Sequence, residues 1–103
     1  MEQGYKVLRE DLTALGLLGA PRMQYRFDEW NRPMEPLSDH PRKGGGLWVA
    51  PTPGQARAMC KYMLRKHGVE TRIFRCRFDG ILHRTFCRIK TAGVLFSIDD
   101  EVK

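Results

Sequence analysis

Carboxylates are scarce in the middle of this chain: from His40 to Lys90 only Glu70 and Asp79 are acidic, against twelve Lys and Arg. The ends differ. Residues 1–39 carry five basic against seven acidic residues (net −2) and residues 91–103 one against three (net −2), so the middle block, at +10, sets the overall charge of +6. A block of this kind attracts anions and points to nucleic acid or an acidic protein surface as the partner. Long apolar runs are also missing. Nothing approaches the roughly 20 residues of a membrane-spanning helix, and Met1-Glu2-Gln3-Gly4 lacks the charged-then-apolar layout of a signal peptide. A cytoplasmic protein with no membrane partner is the expectation.

Cysteine is sparse and odd in number. Cys60, Cys76 and Cys87 include no CxxC pair, which argues against a disulfide framework and a zinc site and leaves reduced, buried thiols. His40, His67 and His83 are too dispersed for a metal spacing. No serine triad, kinase set or hydrolase elbow is present. The residues themselves therefore suggest neither a cofactor nor a catalytic group.

What is present fits one domain spanning residues 1–103. Tyr5-Lys6-Val7-Leu8 reads as a strand, Asp11 to Leu15 as a helical turn, and Gln24-Tyr25-Arg26-Phe27 as a second strand with both aromatics on one face. Residues 28–46 contain Pro33, Pro36, Pro41 and three consecutive glycines and form a long loop in this reading, with Trp30 as its docking aromatic. Leu47 to Ala50 is a short strand, buried on both faces. Thr52-Pro53-Gly54-Gln55 has the form of a capping box, and Gly68 of a helix stop. Between them Ala56, Met59, Cys60, Met63 and His67 form the apolar stripe, and Arg57, Lys61 and Arg65 a basic ridge at four-residue steps.

Asp79-Gly80 between two β-rich runs is a hairpin signal. A two-residue turn there pairs Arg75 with Arg84 and Cys76 with His83, and gathers Arg75, Arg77, Arg84, Phe86 and Arg88 on one face. Opposed like charges destabilise a sheet, so an anion is expected to neutralise the patch, with Phe86 as a stacking surface for a base. A second tight connection at Thr91-Ala92-Gly93 leads into a strand at Val94–Ile98. The fold expected is α+β, a mostly antiparallel sheet of about five to six short strands against one principal helix.

Lys43-Gly44-Gly45-Gly46 precedes a strand, whereas phosphate-binding loops follow one and open a helix. The glycines read as a hinge, with Lys43 as a further basic contact. Cys76 opposite His83 forms a packed thiol–imidazole pair in the same register, and a catalytic dyad is a lesser alternative.

Tyr5-Lys6-Val7, the Tyr25–Trp30 segment, Gly46-Leu47-Trp48-Val49 and Arg72-Ile73-Phe74-Arg75-Cys76-Arg77 together resemble a family of small uncharacterised bacterial and phage proteins. More distantly, Leu47 to Tyr62 resembles the strand, small-residue turn and helix of the ADP-ribosyltransferase superfamily. That likeness implies NAD as substrate and Glu101 as the acidic residue on a late strand; where those enzymes hold NAD, the first strand here offers Tyr5 and Arg9. The leading expectation is a small binding module contacting nucleic acid, or a nucleic-acid-containing complex, through Arg75, Arg77, Arg84, Arg88 and Phe86, with Arg57, Lys61, Arg65 and Lys43 contributing. The alternatives are an NAD-using transferase and an inhibitor-type module that captures a protein.

Overall fold

Hydrophobic alternation dictates most of the sheet. The computed structural model describes residues 2–17 and 22–103. Its strands are β1 (Glu2–Arg9), β2 (Leu47–Val49), β3 (Thr71–Arg84), β4 (Ile89–Leu95) and β5 (Glu101–Val102), with one α-helix, α1 (Pro53–His67), between β2 and β3. All pairings are antiparallel in the order β1-β3-β4-β2, and β5 adds to β3 beside β4. The sheet curls until its two ends meet. Tyr5 and Ala50 exchange both backbone hydrogen bonds (2.9 and 2.7 Å), tying β1 to the chain just beyond β2. The architecture is thus α+β, one helix on a five-stranded antiparallel sheet.

Phe74, Cys76 and Phe78 point into the curl at every second position of β3, meeting Leu8, Leu47, Val49, Ile89, Val94 and Phe96. Phe74 and Phe96 rings lie 4.9 Å apart, and Phe27 packs edge-on against both. Val7 alternates with Lys6 and Leu8 and so faces outward, where α1 lies against β1 and β3 and buries Ala56 and Met63. Met59 and Cys60 are half-buried on the same helix, but His67 is exposed, one turn beyond the end of the stripe. Thr52 accepts a hydrogen bond from the Gln55 amide (3.2 Å), Pro53 occupies the first turn, and Gly68 ends the helix at φ 66°.

Two local expectations in the first third of the chain are corrected. Gln24–Phe27 is not a strand: Gln24 meets Thr13 in an isolated bridge, and Asp28 at φ 63° turns the chain away. Tyr25 and Phe27 nevertheless both reach the core. The Asp11–Leu15 segment is a turn and bridge, with Leu12 at φ 65°, not a helix.

The largest correction concerns Asp79-Gly80. These residues lie inside β3, which runs on to Arg84, and the reversal occurs at residues 85–88 between the pair Arg84 and Ile89. There the Thr85 hydroxyl accepts from the Cys87 and Arg88 amides (3.3 and 3.2 Å), and the Thr85 amide donates to the Arg88 carbonyl (2.8 Å). Gly80, at φ 66°, instead bends the strand beside a register shift between Ile81 and His83. Thr91-Ala92-Gly93 likewise falls inside β4, and the chain beyond Leu95 forms a short 3-10 turn at Ile98–Asp100.

The long 28–46 loop is fastened at two points. Asn31, buried, pairs with Val94 through its backbone and also binds the Arg26 amide and the Arg26, Glu29 and Val94 carbonyls through its side chain. Lys90, fully buried, donates to the carbonyls of His40 (2.8 Å), Lys43 (2.9 Å) and Gly44 (3.1 Å). Among the described residues no helix is long and apolar enough to cross a membrane.

Candidate anion-binding surface

Because Leu47 and Val49 face the core, Trp48 between them faces out. The Arg88 guanidinium lies over its ring at 4.2 Å, and His83 approaches the indole edge-on at 6.3 Å. Arg88 reaches this position because Thr85 closes the turn, which also presents Phe86 at the hairpin tip, 85% exposed. A guanidinium stacked on indole keeps its N–H edge free to meet an anion while the ring holds its plane.

On the neighbouring loop, the glycines expected to act as a hinge form a clamp instead. Gly46 lies against the Lys90 side chain, Gly45 adopts φ 82° against the Pro36 carbonyl, and Gly44 abuts the Glu35 carboxylate. Burial lowers the Lys90 pKa below the ordinary lysine value, opposed by the negative charges of Asp39 and Glu35. The three accepted hydrogen bonds fix the loop backbone, and the Lys43 side chain extends outward from it.

Lys43, Arg42 and Arg88 line one cleft of about 430 Å³ that opens between β1 and β2. Its lining also includes Leu17, Met23, Tyr25, Met34 and the Glu35 carboxylate, with Gln55 and Met59 contributed by α1. Lys6 also lines it, donating to the Trp48 carbonyl (2.8 Å) with its ammonium 4.7 Å above the Tyr25 ring.

The remaining expected residues are placed elsewhere. Arg75 and Arg77 project from the outer face of β3 opposite Tyr5 and Gln3, bordering a second cleft of about 450 Å³ that also holds Asp28 and Asp100. Arg75 and Arg84 are not cross-strand neighbours: Arg84 pairs with Ile89, and its guanidinium meets Glu2 at 3.3 Å. The opposed like charges on which the hairpin patch was argued therefore do not occur. Arg57, Lys61 and Arg65 are exposed on α1, which contains no acidic residue and covers the same outer side of β1 and β3.

Several carboxylates are engaged by other partners, while Glu35 lines the 430 Å³ cleft with Arg42, Lys43 and Arg88, and Asp28 and Asp100 share the second cleft with Arg75 and Arg77. Glu101 binds Arg72 bidentately (2.8 and 3.0 Å), Asp79 binds Arg32 (2.8 Å), and Asp100 accepts from the Ser97 amide (2.8 Å). Among the described residues, Lys43, Arg57, Lys61, Arg65, Arg75, Arg77 and Arg88 make no ion pair.

Two other expected constellations are not assembled. Cys76 lies opposite Gly4, not His83, and burial pushes its thiol up to about 12. Glu101 lies outside the 430 Å³ cleft, and the hydrogen bonds from Arg72 hold its carboxyl at about 2. A carboxylate so firmly held in its ionised form is a poor general base. Sequence reasoning missed Trp48, Arg42, Lys6 and Lys90. Trp48 was legible in principle, since Leu47-Trp48-Val49 also fits an in-out-in alternation; the lysines depend on long-range contacts. Among the described residues no group of three His, Cys, Asp or Glu is placed to hold a metal. No protein-family model, curated protein or solved structure matches the chain.

Proposed function

We propose that this protein is a small basic binding module for nucleic acid, and that its primary contact is the Trp48, Arg88 and Phe86 end of the sheet rather than a broad hairpin face. The observation that carries the reading is Arg88, held over Trp48 at 4.2 Å, without an ion pair among the described residues, and adjoining the exposed Phe86 turn. Aromatic faces stack on bases of any sequence, and unpaired guanidinium groups neutralise phosphates. Lys43 and Arg42 line the same cleft and supply further positive charge. The α1 ridge and Arg75/Arg77 add a sequence-independent field on the outer side.

Titration of labelled single-stranded RNA and DNA at low and moderate salt tests this reading. Affinity is expected to fall steeply with salt as counterions are released, and Arg88→Glu combined with Lys43→Glu is expected to abolish most of it. Absence of binding to any strand at low salt, or unchanged binding by the double variant, overturns the reading. Retention of an acidic protein after nuclease treatment, with no strand bound, assigns the surface to protein recognition instead.

A further inference from the structure

The curled sheet is left unzipped along part of its closing seam. Tyr5 and Ala50 form an isolated rung, and the next one in an antiparallel ladder, Val7 with Trp48, is not made. Backbone direction follows from the neighbours. Tyr5 turns its amide and carbonyl toward Ala50, and Arg9 turns its own toward Thr13 and Leu12, so Val7, at the same parity between them, faces the seam. On the other side the Trp48 carbonyl accepts from Lys6 Nζ where a strand would have supplied an amide. The 430 Å³ cleft occupies this gap and contains both Val7 and Trp48.

We infer that this seam seats one unpaired base of a single-stranded nucleic acid, with its phosphates on Arg42, Lys43 and Arg88. Four features support that occupant. The volume falls within the roughly 300–1,000 Å³ of small-ligand clefts. Met23, Leu17 and Met34 offer apolar surface for the faces of a planar ring. Strand backbone at an unmade rung and the Gln55 side chain provide directional hydrogen-bonding groups at the edge of such a ring. Arg42, Lys43 and Arg88 line the cleft beside a single carboxylate, that of Glu35, and among the described residues none of the three makes an ion pair. A duplex cannot present a base to this slot without unpairing it.

This inference rests on the nucleic-acid reading above, and the experiment separates the two. The full chain is titrated with three labelled probes of equal length: a single strand, the same sequence as a duplex, and a strand whose sugars carry no bases. The same titrations are repeated with Gln55→Trp, which fills the cleft from the first turn of α1, after circular dichroism confirms that it is folded. The base-bearing single strand is expected to bind at least about tenfold more tightly than either other probe, in line with the stacking of one base. Gln55→Trp is expected to remove that margin and leave the base-free strand unaffected. If the base-free strand binds as tightly as the base-bearing one to the unaltered protein, the seam is not a base site, although the anionic module stands. Retention of the full margin by folded Gln55→Trp likewise overturns the seam. If no probe binds at low salt, both readings fall together.

Discussion

Lys90 runs directly beneath Gly46: a Cβ placed on residue 46 would lie 2.5 Å from Lys90 Cε and 2.6 Å from its Cγ. The close approach lets the buried ammonium reach three loop carbonyls at 2.8–3.1 Å. Lys90→Met keeps the hydrocarbon but leaves those carbonyls without their donor, and is expected to destabilise the protein by roughly 2–4 kcal/mol. Gly46→Ala is expected to cost about 1–3 kcal/mol through overpacking. Urea denaturation of the two variants checks both values, and limited proteolysis should show earlier cleavage in residues 38–46.

The Arg72–Glu101 pair fastens the two-residue strand β5 to β3 and makes stability acid-sensitive. Hydrogen bonds from Arg72 lower the Glu101 pKa from 4.5 to about 2. Since the folded value lies below the unfolded one, the pair contributes its full stabilisation above about pH 4.5, and the contribution is lost as pH falls toward 2. The expected loss is roughly 2 kcal/mol. Denaturation midpoints measured from pH 6 to 2, compared with Glu101→Gln, should show this slope in the unaltered protein and a weaker one in the variant.

The three thiols should differ sharply in reactivity. Cys87 is exposed in the 85–88 turn, Cys60 is half-buried on α1, and Cys76 is buried with its thiol pushed up to about 12. Thiolate is the reactive form. Mass-spectrometric mapping after brief alkylation at pH 8 is expected to find Cys87 modified first, Cys60 more slowly, and Cys76 only after denaturant is added. Early modification of Cys76 would mean that the curl opens readily in solution.

Gly80 has the backbone that a hairpin turn would need, but uses it to bend a continuous strand. At φ 66° an L-residue is strained by about 1–2 kcal/mol, and a Cβ there would stand 3.0 Å from that of Ala92. Gly80→Ala is therefore expected to lower stability by about 2 kcal/mol without unfolding the protein, as read by thermal melting. Amide exchange should quicken around residues 79–83 and 90–93.

These details show which parts of the fold were legible and why others were not. Helix α1 was local in origin: the Thr52 cap, Pro53, the Ala56/Met63 spacing and the Gly68 stop all operate within a few residues, and all formed. Strands β1 and β2 followed from β-propensity and a short apolar run, and the α+β class from the order of elements; β2, however, ends the strand order and buries one face, with Trp48 on the other, where burial on both faces was expected. The hairpin position failed because its determinants are distant. Arg32, 47 residues away, takes the Asp79 carboxylate, while Gly93 on β4 leaves room for that pair; a Cβ at Gly93 would collide with the Arg32 guanidinium. With Asp79 committed to Arg32, β3 continues to Arg84, and the Thr85 hydroxyl closes the turn. At the candidate site, Arg88, Phe86 and Lys43 were named from charge and composition. Trp48 was not, because its short apolar run was read as buried on both faces, and the open seam was not, because it exists only once the sheet closes through Tyr5 and Ala50.

Phe86 separates binding from stability more cleanly than any other residue at the site. At 85% exposure its ring contributes little to the core, so Phe86→Ser is expected to change unfolding free energy by less than about 0.5 kcal/mol. If the turn stacks on a base, the same change removes roughly 1–3 kcal/mol of affinity for single strands, or about 5- to 150-fold. Its salt dependence should stay the same, because no phosphate contact is lost. Arg88→Gln should behave differently, with weaker binding and a shallower dependence of affinity on salt. Measuring both variants at three salt concentrations distinguishes stacking at the tip from charge beside it. A Phe86→Ser protein that binds as tightly as the unaltered one would move the contact away from the tip and onto Arg88, Lys43 and the cleft alone.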